Sequence, residues 1–124
     1  MAGRRLTGVF TENFAKNLNA VQAFLGDEGR EAWARLLDRL FEDLIPTITQ
    51  FPQSGRPFLA QSIGSLEARR TVRRLRRGLH PGDELREFIL DDYLVLYLVR
   101  DPIVAFLAVK HHRQLSFDLH GFWP

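Results

Sequence analysis

Cysteine is absent from the 124 residues. A disulfide frame and a cysteine-based zinc site are therefore excluded, and nothing in the composition points to an oxidising compartment. A long hydrophobic run is missing too, since no segment approaches the ~20 consecutive apolar residues of a membrane span. The opening MAGRRLTGVFTENF has two arginines but no continuous apolar stretch behind them, so no secretory leader is read there. The expectation is a soluble, unexported, cytoplasmic protein. A chain of this size buries roughly two-thirds of its unfolded surface, which suits a single domain over residues 1–124.

Large net charge is also lacking, at only +2. The distribution is less even, because the pI is about 9.5 and six arginines crowd between Arg69 and Arg77. One dense basic patch on a nearly neutral chain suits contact with nucleic acid or an acidic partner at one place.

RLTGVF, Arg5 to Phe10, alternates weakly around Gly8 and reads as a short strand at a sheet edge. Thr11 offers an N-cap with Glu12 behind it, and Phe14, Leu18, Val21 and Leu25 follow at helical spacing until Gly26. Trp33, Leu36, Leu37, Leu40, Phe41 and Leu44 form the apolar stripe of a second helix. Gly26 to Gly29 is the short loop between the two. Pro46 removes a donor while Ile48 and Phe51 keep the period, which predicts a kink or restarted turn.

FPQSGRPF, Phe51 to Phe58, reads as a loop. Ser65 to Gly78 reads as a third helix, capped by Ser65, ended by Gly78, with a narrow stripe of Ala68, Val72, Leu75 and Leu79 and arginines elsewhere. HPGD at His80 to Asp83 is a turn. LREFIL, YLVLYLVR and IVAFLAVKHHR, separated by Asp91-Asp92 and Asp101-Pro102, then predict a three-stranded antiparallel meander covered by helices on at least one face. The tail QLSFDLHGFWP is too apolar to be freely solvated, which predicts that part of it packs back or meets a partner.

The ordered pieces FAKNLNAVQAFL, RLLDRLFEDLIPTITQFPQSGRP, LREFILDDYLVLYLV and VAFLAVKHHRQ span most of the chain. In order and spacing they resemble the RelE/ParE superfamily of bacterial type II toxins, especially its ParE-like, plasmid-stabilisation branch. The implied fold is α+β: an N-terminal strand and helical hairpin on a mainly antiparallel sheet, here with an extra arginine-rich helix before the C-terminal meander. The resemblance implies a growth-inhibiting toxin neutralised by a cognate antitoxin in a hetero-oligomer. RelE-like members of the superfamily cleave messenger RNA in the ribosome, and ParE-like members are associated with poisoning of DNA gyrase.

RNA cleavage through the 2′-hydroxyl needs a base, an acid and a cation for the charged phosphorus centre. His112, Arg113 and Arg86 are the candidate catalytic set, with Tyr97 or Glu87 as helpers. Strand alternation sends His111 and Arg113 to one face and His112 to the other unless the strand ends or bulges. Arg56, Tyr97, His111, Arg69, Arg73 and Arg76 are candidate contacts to the target or the antitoxin. Arg56 serves equally to fix its loop, and the arginine helix serves equally as a solvated face. Adjacent strand histidines diverge, and no third ligand stands at useful spacing, so neither a metal nor a cofactor is called for. A non-toxic nucleic-acid or protein-binding module on the same fold is the remaining reading.

Overall fold

The computed structural model describes residues 5–58, 73 and 77–111. Thr7–Phe10 is the first strand, β1, two residues shorter than the sequence suggests. Helix α1 follows at Glu12–Leu25, with the Thr11 side chain accepting a hydrogen bond from the Phe14 N–H as its cap. Gly26, at φ 65°, ends α1 in a conformation that costs a side-chain-bearing residue energy. A short 3-10 turn, Asp27–Gly29, then reverses the chain into α2, Arg30–Asp38.

The kink expected at Pro46 takes a specific form. Residues Arg39–Leu44 make a π-helical turn, in which the Ile45 N–H reaches back to the Leu40 carbonyl, before α3 continues at Ile45–Gln50. In a regular helix a proline ring crowds the carbonyl four residues back. The wider turn lies directly ahead of Pro46 and lets the helical path continue to Gln50.

The stretch read as loop contains a strand. After a 3-10 turn at Pro52–Ser54, Arg56–Pro57 forms β2 and pairs with Glu87 and Arg86. Pro57 is tolerated there because, among the described residues, β2 is the outermost strand and has no ladder to serve on its outer side. The predicted meander follows as β3, Glu84–Leu90, β4, Tyr93–Arg100, and β5, Ile103–His111. The sheet order is β1-β5-β4-β3-β2, with β1 parallel to β5 and the other pairs antiparallel.

One sheet face packs on the helical hairpin through Phe14, Val21, Leu36, Leu40, Leu44 and Ile48, which meet Val95, Tyr97, Val99, Val104, Phe106 and Val109. The other face is also buried at its centre: Leu96, Leu98, Ala105, Leu107 and Ala108 cluster with Phe58, Leu79 and Leu85. This explains why β4 and β5 are apolar at nearly every position. Two helical arms on a five-stranded mixed sheet make the fold α+β, as the sequence suggests. Of the expected arginine-rich helix only Arg73, Arg77 and Gly78 are described, the two arginines helical and exposed and Gly78 in a turn; Arg69, Arg76 and the aromatic tail lie outside the described residues.

Candidate functional site

Two groups of candidate residues stand at different places on the sheet. The first surrounds the Phe51–Pro57 loop. Tyr97 projects from β4 into the core with none of its surface exposed. Its hydroxyl donates to the Pro52 carbonyl at 2.7 Å and accepts from the Gly55 N–H at 2.8 Å. Burial pushes the phenol's pKa above its ordinary value, against the opposing effects of the Gly55 N–H and the Arg86 charge.

Arg86, opposite Tyr97 in the β3–β4 register, directs its guanidinium at the same loop. Nη1 donates to the Gly55 carbonyl and Nη2 to Glu84 Oε1 at 3.3 Å, while the buried Nε has no hydrogen-bond partner among the described residues. Gln53 also donates to Glu84, at 3.0 Å. Arg56 extends into solvent from β2 and pairs through Nε with Glu87 Oε1 at 2.6 Å. Tyr97 and Arg86 thus bind loop backbone, and Arg56 is the exposed cation of the group.

The second group is at the far end of β5. His111 lies opposite Tyr93, with the rings edge to face at 5.1 Å, and the Phe24 ring from the end of α1 is 5.9 Å away. The Tyr93 phenol is also raised in pKa, first by burial and then by the Asp92 charge. Tyr93 and Tyr97 share the helix-facing side of the sheet, as their even spacing predicts.

The structure brings Arg86 and Tyr97 together on the helix-facing side of the sheet, places the Arg56–Glu87 pair on the opposite face, and holds His111 apart from both. Tyr93 and Tyr97 are four residues apart on β4, which separates the two places by roughly 13 Å at ordinary strand rise. His112 and Arg113 lie outside the described residues. A single acid–base–cation constellation is therefore not formed by Arg86, Tyr97 and His111.

Sequence reasoning missed three features. Asn13 and Asn17 are buried on α1 and hydrogen-bond the backbone of β5; two asparagines at i, i+4 beside an apolar stripe were the available signal. Gly55 is buried at the centre of the loop network, and only the close approach of other atoms marks it. The third is the pair Asp83–Arg100, in which Arg100 donates through Nε and Nη2 to a carboxylate only 3 % exposed. Asp83 also accepts from the His80 N–H at 2.7 Å, and Arg100 reaches the Gly78 carbonyl at 3.3 Å. Hydrogen bonding from Arg100 is the main reason the Asp83 carboxyl titrates below its ordinary value, burial opposing it.

Among the described residues no three His, Cys, Asp or Glu side chains gather so as to hold a metal ion, and no helix is long and apolar enough to cross a membrane. Comparison with curated proteins gives no match. Residues 9–116 match the family model described as ParE toxin of type II toxin-antitoxin system, parDE. That match runs from the end of β1 through the whole meander and includes both candidate groups. The chain therefore belongs to the ParE toxin family of type II toxin–antitoxin systems.

Proposed function

We propose that the chain arrests bacterial growth by a ParE-type attack on DNA gyrase and is held inactive by a small antitoxin encoded beside it. The family match over residues 9–116 carries this reading. Its contact residues are Arg56, which is exposed beside β3, and His111 at the end of β5, with Arg69, Arg73 and Arg76 as further basic contacts. Tyr97 and Arg86 support the contact loop from beneath. The alternative, ribosome-dependent cleavage of messenger RNA by His112, Arg113 and Arg86, is disfavoured because the Arg86 guanidinium is bound to the Gly55 carbonyl and Glu84. A catalytic cation must meet the developing charge on the substrate.

The test is pulse labelling of DNA and protein synthesis immediately after induced expression. DNA synthesis should fall first, and co-expression of the adjacent small reading frame should restore growth and yield a complex. Protein synthesis falling first would overturn the reading in favour of RNA cleavage. Salt-dependent nucleic-acid binding with normal growth would leave a non-toxic binding module.

A further inference from the structure

Strand β5 is not continuous in register. Phe106 lies opposite Tyr97, but Ala108 lies opposite Leu96, so Leu107 is an extra residue on β5. A one-residue shift transfers every later side chain to the opposite face. Without it Lys110 would stand opposite Tyr93 and His111 would point away from the helices. With it His111 stands opposite Tyr93 and within ring contact of Phe24.

A bulge leaves backbone groups without ladder partners, and here they fall where β1 has already ended, because the last β1–β5 pair is Phe10 and Phe106. The start of α1 supplies the partners. Thr11 Oγ1 is 3.2 Å from both the Phe106 and Leu107 carbonyl oxygens, which share its single proton. Asn13 Nδ2 donates to the Leu107 carbonyl at 2.9 Å. Asn17 Oδ1 accepts from the Val109 N–H at 3.1 Å and from Asn13 Nδ2 at 3.4 Å. Both asparagines are only 8 % exposed, so water cannot readily replace them.

We propose that Thr11, Asn13 and Asn17 are positioning residues: standing in for a strand neighbour, they lock the bulge at Leu107 and so determine that His111, not Lys110, faces α1. The functional weight of this lock rests on the reading that His111 contributes to target or antitoxin contact. The lock itself is a property of the fold and is tested separately.

Nuclear Overhauser contacts in the full labelled chain give the first measurement. The wild type should show His111 ring protons close to Tyr93 and Phe24; contacts from Lys110 to Tyr93 instead would overturn the proposal without any variant. In Asn17→Ala the Val109 amide should exchange about tenfold faster or more, as expected for loss of one buried hydrogen bond. The His111–Tyr93 contacts should weaken while those between Phe14 and Phe106 persist. Asn17→Asp, which keeps the accepting oxygen, should retain more of the His111 contacts than the alanine variant. Unchanged His111 contacts in a folded Asn17→Ala chain would refute the lock. Growth arrest by His111→Ala answers the other question: full toxicity would remove His111 from the contact surface and leave the lock intact.

Discussion

Replacing Gly55 with alanine should be among the most damaging small substitutions in the chain. Gly55 has φ −81°, which any residue adopts, so backbone strain contributes nothing. Space decides the outcome: an added Cβ would lie 2.5 Å from the Glu87 carbonyl oxygen, 2.5 Å from the Tyr97 hydroxyl and 2.8 Å from the Tyr97 ring. The first obstacle is backbone of β3, held between β2 and β4. The second is a side chain packed into the core with no exposed surface. Overpacking of this kind costs about 1–3 kcal/mol, and displacing the loop weakens the two hydrogen bonds at the Tyr97 hydroxyl, each contributing about 1 kcal/mol. The sum is about 3–5 kcal/mol, a large share of the ~5–15 kcal/mol typical of a domain.

Urea unfolding of the purified variant, read by the fluorescence of the tryptophans and by circular dichroism, measures this loss. Tyr97→Phe should cost less, about 1–3 kcal/mol, by leaving the Gly55 N–H and Pro52 carbonyl unpaired. The double variant should fall short of the additive sum, because removing the hydroxyl removes one obstacle to the new methyl and leaves the other. A Gly55→Ala midpoint equivalent to a loss under ~0.5 kcal/mol would refute the packing argument. Strict additivity with Tyr97→Phe would refute the assignment of the hydroxyl as an obstacle.

Acid should weaken the fold through Asp83. Its folded pKa is depressed below the carboxyl's ordinary value by the Arg100 hydrogen bonds, so its contribution is fully present above that ordinary value and is lost as pH falls through the lower folded value. Asp83→Asn should destabilise the chain at neutral pH and flatten the stability profile in that acid range; an unchanged slope would count against the assignment. Arg39 makes a contrasting case, because its pairs with Asp43 and Asp91 join side chains that are 47 %, 67 % and 62 % exposed. Arg39→Ala should change thermal stability by less than about 1 kcal/mol, and a much larger loss would mean that the helix–turn contact does more than the exposure allows.

The parts of the fold set by local chemistry were readable in the sequence. Thr11 as a cap, the stripe of α1, the glycine turn at Gly26 and the punctuation of the meander by Asp91-Asp92 and Asp101-Pro102 all depend on residues near in the chain. The π turn was half readable, since Pro46 signals an interruption but not how the preceding turn absorbs it. Features set by distant partners were not readable: β2 exists because Arg56 and Pro57 meet β3, and the Leu107 bulge because α1 supplies its missing hydrogen bonds. The same distinction governs the site. Arg86 and Tyr97 were recognisable as polar groups on adjacent strands, but their engagement with Pro52 and Gly55 follows from a loop whose path the local pattern does not specify.

The parallel pairing of β1 with β5 has a consequence for synthesis. The first of the described strands waits for the last of them: Thr7 to Phe10 cannot find their neighbours until Ile103 to Phe106 have left the ribosome. Until then β1 lacks its pairing partner and the helical hairpin lacks the sheet that buries its apolar stripe, and such long-range closure is slow compared with local helix formation. Each newly made copy therefore passes through a period in which exposed Phe14 and Leu40 favour chaperones or association. Translation speed over the final strands would set how long that period lasts.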